Sequence, residues 1–433
     1  MHAVIMAGGK GTRLFSITND EIPKPMVNIC GKPILEHQIE VLYRNGIKDI
    51  ILIVGHKHEK IINYFGDGRA FNVKIQYIIE EVPLGTAGSF VYLKDMIKQD
   101  FLLVYGDIIF DIDLGRMANY HKEKEALATL LLHPNAHPFD SDLVVHNEAG
   151  RVTSFDSKNN KRDYCYDNCV NSGIYILASA LLTRGQEFKK TDLEKDILLQ
   201  MVNHNEAVYG YHSPEYVKDI GTPERLKKAE QDILSGFVAN KNLTKLQKCV
   251  FIDRDGTVNV HKGLVYKDED FELDPCAIDA FRQLNNSEYL AIIITNQPVV
   301  ARNLCTIDRL NQIHKKLKTI LGNAGVYVDD LMFCPHHPDK GYEGENTQYK
   351  ISCECRKPKT GLIQKCSDRY NIDLSESWFV GDTTTDIMTG QNAGLRTVLV
   401  KTGEAGKDAK YDVHADVVCD DLLRAVQYIR GVM

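Results

Sequence analysis

No run of eighteen or more apolar residues occurs in the 433-residue sequence, which argues against a membrane-spanning helix. The apolar stretch 2–7 starts with no basic-then-apolar leader before it, so a cytoplasmic protein is expected. Positive charge is short as well. Lys and Arg number 52 against 59 Asp and Glu, a net charge of −7, whereas a nucleic-acid surface needs a basic excess. The eleven cysteines are odd in number and unevenly spaced, which does not suit a disulfide framework. The first glycine-rich turn lacks both G-x-G-x-x-G and a closing G-K-[ST], so neither the dinucleotide fingerprint nor the P-loop is present there.

What remains is ample material for folded domains. At 43% hydrophobic and 26% charged the chain can fill full cores, and its length suits two or three domains. Apolar strand-like runs alternate with helical spacing. In the first half, strand signals at 49–54, 73–79 and 101–105 alternate with a helix over 33–44, ended by Gly46. Such alternation predicts a mostly parallel sheet with helices on both faces. A charged amphipathic helix over 223–234 is broken by Ser235-Gly236, and a polar stretch leads to a new strand at 249–252. The expected domains are therefore 1–236 and 248–433, with a linker at 237–247.

The second half carries the sharper chemistry. The apolar run Val250-Phe251-Ile252 ends in Asp253-Arg254-Asp255-Gly256-Thr257. Two carboxylates at a strand's C-terminal end point into the crevice where open α/β sheets bind ligands. One can attack phosphorus while the other handles the proton, and a metal suppresses their repulsion. Downstream come Thr295-Asn296 after a second strand, Arg356-Lys357, and Asp382 after a third. Together they provide nucleophile, hydroxyl, cation and metal carboxylate, a set suited to phosphoryl transfer. The order resembles the haloacid dehalogenase superfamily. That resemblance implies a three-layer α/β/α domain with Asp253 as nucleophile and Asp255 as acid and base. It also implies a phosphate grip by Thr295, Asn296, Arg356 and Lys357, and Mg²⁺ at Asp253, Asp255 and Asp382, with Asp386 in support.

Cys334-Pro-His336 and Cys353-Glu-Cys355 form a separate set. Three thiolates and an imidazole make a closed tetrahedral Zn²⁺ site, although the adjacent His337 could replace His336. The intervening segment is rich in charge, Gly and Pro and cannot supply its own core, so zinc would staple it. With this loop the half resembles D,D-heptose 1,7-bisphosphate 7-phosphatases and histidinol phosphatases over residues 249 to about 403. The usual Asn-Gln-Ser-Gly reads Asn296-Gln297-Pro298-Val299 here.

In the first half, Gly8-Gly9-Lys10-Gly11-Thr12-Arg13 follows the first strand. Its glycines let backbone N–H groups approach phosphate, and its cations add charge. Prolines 23 and 25 flank Lys24 and should hold it in an extended segment. Asp107 and Asp219 each end a strand, and two such carboxylates facing a glycine loop suit Mg²⁺ on a triphosphate. With Leu84-Gly85-Thr86-Ala87-Gly88 and Asp219-Ile-Gly-Thr-Pro-Glu224, these motifs resemble the sugar-1-phosphate nucleotidylyltransferases over roughly 1–235.

The resemblance implies a Rossmann-like α/β/α fold with Arg13 and Lys24 stabilising the triphosphate and transition state. Asp107 and Asp219 would hold Mg²⁺, while Gly8, Gly9, Gly11, Thr12, Gly85 and Thr86 cradle the nucleotide. The likeness to mannose- and heptose-1-phosphate guanylyltransferases adds Asn171, Lys158, Glu194 and Lys195 as sugar contacts. Exposed surface charge is the alternative for Lys158 and Glu194. Ser157 stands where many relatives carry the Glu of a Glu-Lys pair, which bears on the choice of sugar. No hexapeptide repeats follow this half.

Joined, the halves suggest one sequence of reactions: a phosphatase makes heptose 1-phosphate and a guanylyltransferase consumes it with GTP. A histidinol-phosphate phosphatase, or a non-catalytic nucleotide-binding first half, are the rivals. Small-molecule substrates are the expected partners, with no nucleic acid and no membrane. Association into homo-oligomers is left open.

Overall fold

The computed structural model describes residues 1–9, 18, 21–184, 188–341 and 343–432. No described helix is long and apolar enough to cross a membrane. The chain divides into two compact units. The first comprises 1–133, 142–157 and 169–242, and the second 134–141, 158–168 and 243–433. The change of unit thus falls inside the stretch read as a linker. Val238 of a short helix, Phe237–Asn240, packs in the first unit's core, whereas Leu243 is buried in the second's.

In the first unit, β1 (Ala3–Met6) pairs in parallel with β2 (Asp49–Val54), which pairs with β3 (Lys74–Ile79). The chain then returns to place β4 (Phe101–Tyr105) on the other side of β1. This reversal leaves a crevice beyond the carboxyl end of β1, where Gly8 and Gly9 follow. Burial explains why these segments are strands. Successive residues of β1 alternate between two cores, Ala3 and Ile5 on one face and Val4 on the other, both fully buried. Helix α1 (Ile34–Arg44) covers one face through Leu35, Ile39 and Leu42. A separate antiparallel ribbon joins β5 (Ile108–Asp111) to β6 (Tyr216–Asp219), just before helix α2 (Pro223–Leu234).

The second unit has a six-stranded parallel sheet. Its centre is β7 (Lys248–Ile252), flanked by β8 (Tyr289–Asn296) and β10 (Trp378–Gly381), with β9 (Asp330–Cys334) beyond β8. Val250 and Ile252 enter one core, Cys249 and Phe251 the other, so both faces are covered. The strand order reverses around β7, and its carboxyl end carries Asp253. Helix α3 (Ile307–Asn323) brings His314 into the interior, and the segment 158–168 pairs with it through Asp167 and Lys318 at 2.8 Å. Helix α4 (Thr384–Asn392) starts with a capping box in which Thr383 and Asp386 satisfy each other's backbone N–H.

Candidate active sites

The first unit's crevice is a cleft of about 410 Å³ lined by Gly8, Gly9, Lys24, Glu80, Gly85 and Asp107, among others. Gly11, Thr12 and Arg13 lie outside the described residues. Lys24 is not in an extended segment as expected: Lys24–Met26 form one 3₁₀ turn after an extended Pro23. Pro25 suits that first turn because its missing N–H would have had no helical partner there.

The turn aims a buried ammonium into the cleft. Lys24 Nζ lies 2.6 Å from Asp107 Oδ2 and 4.0 Å from Asp219 Oδ1. The β5–β6 ribbon brings these two carboxylates together, since Asp219 stands opposite Ile108 and Ile220 N donates to Asp107 O. Arg225 Nη1 holds Asp219 Oδ2 at 2.8 Å, whereas the buried Asp219 Oδ1 has no hydrogen bond among the described residues. The residues fit magnesium in a particular way. Two carboxylates already face two cations here, so the described site is balanced until a polyphosphate enters with its own counter-ion.

The turn at 84–88 is tied to 191–193. Ala87 N donates to Thr191 O, Thr191 N to Leu84 O, and Leu193 N to Thr86 Oγ1 at 2.7 Å. Gly85 has φ +80°, and a Cβ there would come 2.5 Å from Thr191 O, so the turn admits only glycine. Glu80 was not anticipated. It follows β3 and lines the cleft, its Oε1 buried with no hydrogen bond among the described residues and its pKa raised by burial. A carboxylate between a buried strand and a glycine turn was the available signal.

Behind Tyr105, another cleft residue, lies a polar cluster. Glu194 Oε1 accepts from Tyr105 Oη at 2.8 Å, from Tyr175 Oη, and from Asn171 Nδ2 at 3.3 Å. Burial raises the Glu194 pKa even though the tyrosine hydroxyls oppose it. Glu194 is therefore no surface charge. Gly173, at φ +79°, is needed because a Cβ would lie 2.7 Å from the Tyr105 ring. Lys195 is exposed on the same helical turn as Glu194, and Lys158 is exposed on a turn grouped with the second unit. The structure thus joins Asn171 and Glu194, and Lys195 takes no part in their hydrogen bonds.

In the second unit, Asp253, Asp382 and Asp386 converge, each offering a carboxylate oxygen within 4.8 Å of the others. Lys357 Nζ lies 2.6 Å from both Asp253 Oδ1 and Asp386 Oδ1. Burial, with repulsion from neighbouring carboxylates, pushes Asp253 up to about 7 and Asp382 to about 8. Burial opposes the Lys357 charge, but Asp253 and Asp386 more than reverse that and raise its pKa. When all three ionise, three carboxylates against one ammonium leave a buried double negative charge. In addition, Asp382 Oδ1 is buried without a hydrogen-bond partner among the described residues. A hard dication fits both facts.

Asp255 is not in that group, and Asp386 stands in its place. The Asp255 carboxylate is gripped by Arg254 Nη2 at 2.8 and 2.9 Å, and by Gln297 Nε2 at 2.7 Å. Arg254 is fully buried and its Nη1 meets His314 Nε2 at 3.1 Å. Neither Arg254 nor Gln297 was anticipated, because a buried arginine between two aspartates reads as surface charge. Asn296 pairs with Lys357 through both polar atoms, Oδ1 accepting from the backbone N and Nδ2 donating to the O. Its amide thus positions Lys357. Thr295 is buried and its Oγ1 accepts from Gln297, while Arg356 donates to His336 O at 3.0 Å.

Cys334, His336, Cys353 and Cys355 form the other convergent group. Their Sγ atoms lie 3.1–3.5 Å apart, and His336 Nδ1 is 3.2 Å from Cys355 Sγ. Tetrahedral zinc with bonds of about 2.3 Å would set edges near 3.8 Å, so a small outward adjustment admits the ion. Hydrogen bonding within the thiol cluster lowers the Cys355 pKa to about 5. His337 turns away and accepts from Asp339 N.

The nucleotidyl transferase family model matches residues 2–236, and the HAD-hydrolase-like model matches 354–425. A D-glycero-alpha-D-manno-heptose 1-phosphate guanylyltransferase of Aneurinibacillus thermoaerophilus is 34% identical, over 54% of this chain and 98% of that protein. A D-glycero-beta-D-manno-heptose-1,7-bisphosphate 7-phosphatase of Haemophilus ducreyi is 36% identical, over 42% of this chain and 98% of that protein. A solved structure of D,D-heptose 1,7-bisphosphate phosphatase from B. bronchiseptica, complexed with magnesium and phosphate, is 30% identical. It covers 43% of this chain and 100% of that one, with a TM-score of 0.38.

Proposed function

Because the chain belongs to the nucleotidyl transferase family by its first half and to the HAD-like heptose bisphosphate phosphatases by its second, we propose that it runs two consecutive steps. Residues 248–433 remove the C7 phosphate of D-glycero-D-manno-heptose 1,7-bisphosphate. Residues 1–236 then transfer GMP from GTP to the heptose 1-phosphate, giving GDP-heptose and pyrophosphate. One observation carries the reading: each half matches nearly the whole of a relative, one named for removing the C7 phosphate of a heptose 1,7-bisphosphate and the other for acting on a heptose 1-phosphate, steps that are consecutive once the anomer agrees.

Asp253 attacks the C7 phosphorus, forming an aspartyl phosphate as the C7 oxygen departs. Asp255 gives that oxygen a proton and then takes one from the water that hydrolyses the intermediate. Arg254 and Gln297 hold the Asp255 carboxylate in a fixed orientation for both transfers. Lys357, aligned by Asn296 and Asp386, balances phosphate charge. In the first unit, Lys24 neutralises charge developing on the triphosphate, and no covalent intermediate is needed. Magnesium, when held by Asp253 and Asp382 and by Asp107 and Asp219, supplies Lewis-acid charge neutralisation in both sites. Zinc at Cys334, His336, Cys353 and Cys355 supplies a closed structural staple.

Bond counting ties both halves to one anomer. Cleavage at C7 breaks no bond at C1, so both halves have to act on one anomer. The two relatives name opposite ones, β for the phosphatase and α for the guanylyltransferase. We take that common anomer to be α, after the relative of the half that forms the C1 phosphate linkage.

Glu80 supports guanine. A carboxylate only accepts hydrogen bonds, and guanine's pairing edge offers two adjacent donors where uracil and thymine offer one. Glu80→Gln is expected to lower the preference for GTP over UTP, as a ratio of kcat/KM, by roughly 10–100-fold, the worth of a bidentate contact. An unchanged ratio would remove Glu80 from base recognition.

The test supplies α- or β-bisphosphate separately with GTP and Mg²⁺ and follows phosphorus by NMR. The α-anomer should give orthophosphate, then pyrophosphate and a sugar-linked diphosphate, while the β-anomer gives no pyrophosphate. Orthophosphate from neither anomer would sink the reading.

A further inference from the structure

We propose that loop 401–406 is a clamp that decides which oxygen of Asp382 is offered to magnesium, with Gly403 as its positioning residue. The inference rests on the phosphatase reading above. Two glycines at positive φ, Gly256 at +82° and Gly403 at +59°, enclose a single carboxylate. A Cβ on Gly256 would come 2.3 Å from Asp382 Oδ2, and a Cβ on Gly403 would come 2.1 Å from the same oxygen. Each added Cβ would also stand 3.1 or 2.8 Å from the other glycine's Cα, so the two backbones are packed against each other.

The rest of the loop locks this arrangement. Thr402 Oγ1 donates to Gly256 O at 2.6 Å, tying the loop to the turn that follows the nucleophile. Glu404 N donates to Asp382 Oδ2 at 2.7 Å, and Gly406 N to Asp382 O at 2.8 Å. With Oδ2 enclosed and hydrogen-bonded, Oδ1 is the buried oxygen left without such a partner among the described residues. A carboxylate otherwise turns broadly about its last torsion. Contacts that orient a ligand are commonly worth 10–100-fold in metal affinity.

The clamp is tested by titrating Mg²⁺ calorimetrically into the full chain. Every arm carries Asp107→Asn, so that the first unit's carboxylate pair adds no heat. Gly403→Ala should weaken Mg²⁺ binding at least tenfold and raise the Mg²⁺ needed for phosphatase activity, with kcat recovering at saturating Mg²⁺. Zinc content should stay near that of the parent. Thr402→Val removes only the tie to Gly256 O and guards against misfolding of Gly403→Ala; it should weaken binding several-fold. If the parent binds Mg²⁺ and both variants match its Kd, the clamp falls and the magnesium site stands. If the parent binds none, both fall. Loss of zinc and of the thermal transition in step with Mg²⁺ in both variants would make the loop merely structural and overturn the clamp.

Discussion

Asp253→Asn is expected to release orthophosphate from heptose 1,7-bisphosphate at least about 10³-fold more slowly than wild type, because the amide cannot form the phosphoenzyme. The same variant, given heptose 1-phosphate and GTP, should make GDP-heptose at the wild-type rate. Phosphate release measured beside pyrophosphate release checks both. A second consequence concerns stability. Asp253 sits in a group with excess negative charge, and its pKa stands at about 7, raised from 3.8 by burial and then by Asp386. The folded state therefore holds that proton more tightly than the unfolded chain. Ionising it costs stability as pH rises from about 4 through 7. In chelator-treated protein the asparagine removes this cost, so the variant should melt higher than wild type at pH 8. The difference should shrink toward pH 5. A wild-type-like orthophosphate rate would exclude Asp253 as nucleophile; a melting difference independent of pH would mean the charge is balanced by groups other than Lys357.

Both functional centres follow strands whose hydrophobicity is visible along the chain. Val250 to Ile252, Ile292 to Ile294 and the 101–105 run are apolar because parallel strands are buried on both faces, and the residue after each such run sits at the sheet's ligand-binding edge. That regularity made Asp253, Asp382, Asp107 and Asp219 legible as candidates, while flanking prolines marked Lys24 and the Cys355-Arg356-Lys357-Pro358 run marked Lys357. It could not say which of two neighbouring carboxylates faces the centre. Asp255 is diverted by a fully buried Arg254, and Asp386 is recruited by Lys357, both through side chains distant in sequence or unexpected in burial. Glu80 was hidden for a different reason: its meaning depends on the 84–88 turn docking on Thr191 to shape the cleft. The glycines of the Asp382 clamp lie 147 positions apart, at 256 and 403, and only folding brings them together. Local pattern encodes strand ends well, and long-range packing decides what stands beside them.

Lys24→Met should lower kcat for guanylyl transfer by roughly 10²–10³-fold, with the phosphatase rate unchanged. Lys24 is only 7% exposed, and its Nζ is the group 2.6 Å from Asp107 and 4.0 Å from Asp219. A preorganised cation acts mainly on charge that develops in the transition state, so the loss falls on kcat more than on KM for GTP. There is a competing effect to separate. Removing the ammonium leaves two part-exposed carboxylates facing each other, with Arg225 the cation beside them among the described residues, and their solvent-screened repulsion can by itself lower stability and activity. Lys24→Met combined with Asp107→Asn relieves that repulsion. If Lys24 acts on the triphosphate, the double variant recovers thermal stability yet stays as slow as the single one. If it serves only to separate the carboxylates, relief of the repulsion returns transfer toward the rate of Asp107→Asn alone. In the phosphorus spectrum, loss of transfer would leave orthophosphate rising on schedule while heptose 1-phosphate accumulates. A kcat within tenfold of wild type would put the catalytic charge elsewhere in the cleft.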